Sequence, residues 1–260
     1  VAHNLLEESM HAPYPNAAAI VAALRLIQAD FDGRPTHQVM GQGGRVFEFF
    51  PTSITDNIPP LHPDLSRAIC LLSALHLDHA AEATLGVGEE DRGAMIISDL
   101  LLHYNLPRTL ARWTPTGAPG EVQVPLSNEY IQEGDTRIFL NGVRAHDRVL
   151  IVDDLISTGG TLAALIEAVR VTGATILEVL TIGEKIENGG RNFLREKTGL
   201  TVKTMLATSL EEREGRCYSK LVRFHLGKLP RSLYAEVAAS FPPGFCRPGS
   251  GEELSDDRTI

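Results

Sequence analysis

The chain has 260 residues, 43% hydrophobic and 22% charged, with a formal net charge of −9. That length and apolar content suffice to bury a core, and the acidic balance argues against a surface built for nucleic acid or anionic membrane. Cys70, Cys217 and Cys246 lie far apart without C-x-x-C spacing, which excludes a disulfide framework or zinc site and points to free thiols in a reducing compartment.

In chain order, the opening "VAHNLLEESMHAPYP" lacks the basic and apolar regions of a secretion signal, and no apolar run approaches the length of a bilayer span. The expectation is a soluble, cytoplasmic protein with no membrane partner. "AAAIVAALRLIQA" (17–29) carries an apolar stripe at helical spacing. Residues 33–44 read as turn, and "RVFEFF" (45–50) as a strand. Asp64 is expected to cap a helix running to about residue 83. "ATLGVG" (83–88) is a strand, followed by the turn "EEDRG", the helix "AMIISDLLLHY" (94–104) and the strand "PRTLARW" (107–113). Residues 114–135 form a long polar segment without secondary-structure signal, the mark of a lid or binding loop. After the strand "TRIFL" come a strand at 148–152, a helix at 160–172 and a strand at 174–182. A short helix in "GGRNFLREKT" and a strand at 200–207 follow. Strands alternating with helices predict an α/β fold with a central, mostly parallel sheet flanked by helices. Residues 211–225 carry several bases, and the Pro/Gly/acidic tail after 241 is expected to fray.

The chemistry concentrates in "RVLIVDDLISTGGTLAALIEAVR" (148–170). An apolar strand delivers Asp153 and Asp154 to its carboxyl end, where open α/β sheets bind ligands. Ser157, Thr158, Gly159, Gly160 and Thr161 then open a helix and offer hydroxyl and amide donors to a phosphate. The loop lacks the lysine that a nucleoside-triphosphate loop places on the outer phosphates. Carboxylates beside a phosphate loop suit a phosphorylated sugar, with its hydroxyls on the aspartates.

"VDDLISTGGT" resembles the phosphoribosyl-pyrophosphate signature of the type I phosphoribosyltransferases. "GEEDRGAMI" (88–96) is similar to that family's diphosphate turn, and "ARWTPTGAPGEVQVPLSNEYIQEG" to its flexible catalytic loop. "IFLNGVRAHDRVLIVDDLISTGGTL" and "EKTGLTVKTMLA" resemble the adenine and archaeal hypoxanthine enzymes. The likeness covers about residues 45–210. It implies three regions: an N-terminal extension with a small hood or flap (1–60), a phosphoribosyltransferase core (61–210), and a C-terminal extension with a flexible end (211–260).

The resemblance also implies roles. Arg92, Gly93 and Arg112 would bind the diphosphate, Asp153 and Asp154 the ribose hydroxyls, and residues 157–161 the 5-phosphate. Glu129, beside Tyr130 in the loop, would cover the reaction centre with Asp153 and Asp154. Mg²⁺ would be held by substrate and by Asp153 or Asp154, directly or through water. The implied partners are phosphoribosyl pyrophosphate and a small-molecule acceptor, adenine or hypoxanthine/guanine, in a homodimer. The chain departs from the family pattern at Trp113 and at "TGAPG", where lysines are usual. Those departures leave open a deazapurine or aminocyclitol acceptor, or a regulator that senses phosphoribosyl pyrophosphate without catalysis. Outside the motif, His76, His79 and Glu82 are read as one helix face with spacing that could hold a metal. Phe47, Phe49 and Phe50 are read as core or as part of the hood.

Overall fold

The computed structural model describes residues 15–40, 46–126 and 136–249. A seven-stranded sheet in the order β11-β10-β9-β8-β7-β3-β4 forms its centre. The strands are β3 (Leu85–Glu89), β4 (Arg108–Ala111), β7 (Arg148–Ile156), β8 (Thr175–Lys185), β9 (Lys203–Arg213), β10 (Arg216–His225) and β11 (Cys246–Arg247). All neighbouring pairs are parallel except β9 with β10. The mostly parallel α/β sheet expected from the strand–helix alternation is therefore present.

Helices cover both faces, which is why the central strands read as continuous apolar runs rather than alternating ones. On one face lie α1 (Ala17–Phe31), α3 (Pro63–Ser73), α4 (Ala94–His103) and α7 (Arg231–Ala238), packed over Leu150, Val152, Leu180 and Ile182. On the other lie α5 (Gly160–Val171) and α6 (Gly190–Thr198), over Val149, Ile151 and Val179. Asn16 caps α1 through its side-chain oxygen on the Ala19 amide at 2.9 Å. The helix then buries Ile20, Leu24 and Ile27 of the apolar stripe visible in the sequence, and Phe31 beyond it.

Several elements differ from the sequence reading. The turn expected at 33–44 contains β1 (His37–Met40), paired antiparallel with β2 (Val46–Phe49). All four β1 residues are exposed, so no apolar alternation marks the strand. The helix expected to start at Asp64 and run to 83 is capped by His62 and ends at Ser73. Only a single 3₁₀ turn, Ala80–Glu82, follows. The chain leaves the helix there because residues beyond it have tertiary partners: the amides of Asp78 and His79 donate to Glu178, and the Leu75 carbonyl accepts from the Lys228 amide. His76, His79 and Glu82 consequently share no helix face. His76 is buried, while exposed His79 bonds Glu82 at 2.7 Å.

The segment 114–135 is not wholly without structure. Val122–Pro125 forms β5, paired with β6 (Arg137–Leu140), and Val124 and Ile138 join the core over α5. The strand expected to stop at 152 runs on to Ile156, pairing with β8 along the way. Residues 241–249 of the tail, expected to fray, are instead packed, because Phe241 and Phe245 lie around Phe224 and β11 closes the sheet edge; the rest of the tail lies outside the described residues. No described helix is long and apolar enough to cross a membrane.

Candidate functional site

Chain order reverses between β3 and β7: β4 extends the sheet from β3 in one direction, and β8 and β9 extend it from β7 in the other. Such a switch point opens a crevice at the carboxyl ends of the strands. Here it is a cavity of about 430 Å³. Its walls bring together Asp153, Asp154, the whole of Ser157–Thr161 and Arg92. Val39 and Phe49 of the β1–β2 hairpin close it from above.

Asp153 and Asp154 are each 6% exposed. Burial pushes the Asp153 carboxyl well above the usual range, reinforced by the neighbouring Asp154 and Glu89. Burial likewise raises Asp154 to about 7, against the opposing Leu155 amide. Asp154 Oδ2 has no hydrogen-bond partner among the described residues. A buried acceptor without a donor is expensive, which sets this oxygen apart among the cavity-lining groups.

The loop after β7 is held from behind. Asn188 Nδ2 donates to Ser157 Oγ at 2.7 Å. Gly190 starts α6 directly under the loop, where a Cβ would come within 2.2 Å of the Ser157 carbonyl oxygen. Only glycine allows that approach. The second wall is the D-R-G turn between β3 and α4. Gly93 adopts φ +69° as the N-cap of α4, and a Cβ there would meet the Asp154 side chain at 2.4 Å. Its amide is engaged within the protein, donating to the Thr55 carbonyl at 2.8 Å. Arg92 packs its guanidinium 3.9 Å from the centre of the Phe49 ring and pairs with Asp56 at 3.4 Å. Arg112, by contrast, does not line the cavity; its Nε is bonded to Glu90 at 3.1 Å. Glu129 and Tyr130 lie outside the described residues.

The cavity also holds groups that the motif reading did not single out. Glu89 ends β3, is 5% exposed, and accepts from the Trp113 indole at 2.9 Å and the Asp91 amide at 3.1 Å. Burial raises its carboxyl to about 7 despite those donors. Trp113, standing where the family pattern has a lysine, is thus half-buried and tied to an acidic partner. Lys185 ends β8, 5% exposed, its ammonium 4.6 Å from the Phe50 ring centre and 5.6 Å from that of Phe49. Burial lowers its pKa. Both residues close an apolar strand at its carboxyl end, and that position was the available signal. Of the three phenylalanines, Phe47 and Phe50 are core, whereas Phe49 faces the cavity.

No family profile matches the chain. Individual relatives do. A hypoxanthine/guanine phosphoribosyltransferase of Methanocaldococcus jannaschii is 32% identical over 160 residues, 62% of this chain and 84% of that protein. HGPRTase-like protein 3 of Haloterrigena turkmenica is 34% identical over 154 residues, 59% of this chain and 81% of its own. Among solved structures, adenine phosphoribosyltransferase of Saccharomyces cerevisiae matches with a TM-score of 0.52 at 26% identity, over 72% of this chain and 98% of that one. The adenine enzyme of Rhodothermus marinus gives 0.54 at 26% identity, over 73% and 99%. These relatives and the shared α/β fold define a phosphoribosyltransferase. The chain belongs to the type I phosphoribosyltransferase family.

Proposed function

We propose that the protein transfers the 5-phosphoribosyl group of phosphoribosyl pyrophosphate to a ring nitrogen of a purine, releasing diphosphate. The observation that carries this reading is one cavity lined by Asp153, Asp154, the Ser157–Thr161 loop and Arg92. The loop amides and hydroxyls bind the 5-phosphate, and the two aspartates accept hydrogen bonds from the ribose hydroxyls. Arg92 contacts the diphosphate, a role that the family resemblance extends to Arg112.

The acceptor nitrogen bonds to the anomeric carbon as the bond to the diphosphate oxygen breaks, and the electron pair leaves with diphosphate. Positive charge develops on the sugar between those events, and buried carboxylates stabilise it strongly in a water-excluded site. Glu129, in the role carried over from the family resemblance, takes the proton from the acceptor nitrogen. The unpaired, buried Asp154 oxygen fits a hard divalent cation. No group of three or more metal-binding side chains occurs among the described residues, so Mg²⁺ would be held by Asp153 or Asp154 together with substrate and water. When bound, it neutralises charge on the diphosphate.

Lys185 bears on the acceptor. An ammonium donates and never accepts, so it suits a carbonyl oxygen and not an exocyclic amine. Hypoxanthine and guanine carry that oxygen, and adenine does not. A homodimer, carried over from the family resemblance, and a cytoplasmic location, carried over from the composition, complete the proposal.

The test is diphosphate release from phosphoribosyl pyrophosphate and Mg²⁺ with hypoxanthine, guanine and adenine in turn. The 6-oxopurines are expected to exceed adenine in kcat/KM by roughly a hundredfold or more. Absence of turnover with every purine would refute the proposal. A preference for adenine would remove the role given to Lys185.

A further inference from the structure

The N-terminal helix α1 lies outside every motif that carries the family resemblance, yet its last turn connects to the cavity through an unbroken series of bonds. Asp30 is 4% exposed. Its Oδ1 accepts from the Ser53 amide at 3.0 Å and its Oδ2 from the Ile54 amide at 3.2 Å. Those are the first two amides of α2 (Ser53–Asp56), groups that a helix this short cannot satisfy internally. Arg34 holds the carboxylate in place, with Nη2 on Oδ1 at 2.9 Å and Nε on the Asp30 carbonyl at 2.7 Å.

The other end of α2 reaches the diphosphate turn. The Thr55 carbonyl accepts from the Gly93 amide at 2.8 Å, and Asp56 pairs with Arg92 at 3.4 Å. Thr55 also donates from Oγ1 to Asp56 Oδ2 at 2.5 Å, which fixes the carboxylate that faces Arg92. Four residues of α2 therefore stand between an anionic anchor and the arginine of the cavity wall.

We infer that Asp30 is a positioning residue for phosphoribosyl pyrophosphate: Thr52 is the N-cap of α2, and Asp30, by accepting from the Ser53 and Ile54 amides, ties that capped turn to α1 and sets where Asp56 and Thr55 hold Arg92 and Gly93. It touches no substrate. Without it, two buried amides lose their acceptor and α2 loses its anchor to α1. Arg92 then no longer rests at one position along the Phe49 ring. The effect belongs to substrate binding, because the chain of contacts ends at a group proposed to grip the diphosphate in the ground state. The inference rests on that proposed role for Arg92.

The experiment is a double-mutant cycle on the full chain, with KM for phosphoribosyl pyrophosphate and kcat measured at saturating acceptor. Asp30→Ala is expected to raise that KM about tenfold, the scale of losing a side-chain acceptor at a helix start, with kcat changed by less than about twofold. Arg92→Ala should raise it as well. In the double variant the Asp30 increment should vanish, since its route to the substrate is gone. Asp30→Asn retains one acceptor and should fall between wild type and alanine, and it replaces the alanine variant should that fail to fold. An Asp30 effect that persists undiminished beside Arg92→Ala overturns the inference, as does an unchanged KM in the Asp30 variants. An unchanged KM in Arg92→Ala alone instead refutes the diphosphate role of Arg92, so the two failures are distinguishable.

Discussion

The sheet buries acidic residues at both of its ends, and the two groups are treated in opposite ways. Near the amino ends of β8 and β9, Glu178 accepts from the amides of Asp78 and His79 and from Lys203 Nζ at 2.5 Å. Lys203 also bonds Asp78 at 2.6 Å and the His76 carbonyl at 2.9 Å. At the carboxyl ends, Asp153, Asp154 and Glu89 are buried, and burial raises all three, reinforced at Asp153 by Asp154 and Glu89, at Glu89 by Asp91 and Asp154, and at Asp154 by Asp56. The first cluster is closed by the chain's own donors. The second lacks enough of them, and a fold keeps such a deficit where a ligand supplies the missing donors or cation. Burial of charge alone marks neither structure nor function; what differs here is that Glu178 is paired with a cation, Lys203, whereas the cavity carboxyls repel other carboxylates.

That contrast can be broken by exchanging the consequences of mutation. Lys203→Met leaves Glu178 buried without its cation, and loss of one partner of a buried pair costs about 3–5 kcal/mol. Urea unfolding should show a drop of that size, while the KM values of the folded enzyme stay near wild type. A purely local loss in activity without a stability change would make the amino-end cluster part of the site. Asp153→Asn should do the reverse. Turnover is expected to fall by about 10²–10³, the scale of losing one preorganised electrostatic contact. Unfolding in the absence of substrate should be no easier than in wild type, because a buried, repelled carboxyl is replaced by a neutral group. A destabilised Asp153→Asn with full turnover would place both clusters in the same class.

The same division governs what the sequence could disclose. Asp153, Asp154 and the loop to Thr161 were legible because strand, carboxylates, loop and helix are contiguous, and each step has a local physical reason. Glu89 and Lys185 were within reach, since each closes an apolar run in a parallel sheet. Asp30 was not, because its partners are backbone amides 23 and 24 residues away and an amide has no sequence signature. The shortened α3 has a similar origin: helical periodicity continued past Ser73, but the amides beyond it were drawn to Glu178, about a hundred positions along the chain. The short hairpin strands β1 and β5 escaped because mostly exposed pairs need no alternation.

The smallest expected effect sharpens the comparison through pH. His76, beside the amino-end cluster, is 1% exposed, and burial together with the Lys203 cation depresses its pKa to about 3. In the unfolded chain an imidazole titrates near 6.5. Between those values the unfolded state binds more protons, so stability is complete above about pH 6.5 and is lost as pH falls below it. The cavity carboxyls, raised in the folded state, have the opposite sign: they bind more protons folded, and their contribution declines as pH rises from about 4 toward 7. The wild-type profile therefore mixes opposed slopes, and a variant separates them. Replacing His76 with Gln removes a titrating group while keeping a polar side chain. Its unfolding free energy should lose about 1.4 kcal/mol less than wild type between pH 7.5 and 5.5, whatever its absolute stability. Equal slopes in the two proteins would mean that His76 takes up its proton in the fold as readily as in the unfolded chain, and that its burial beside the amino-end cluster does not hold it neutral.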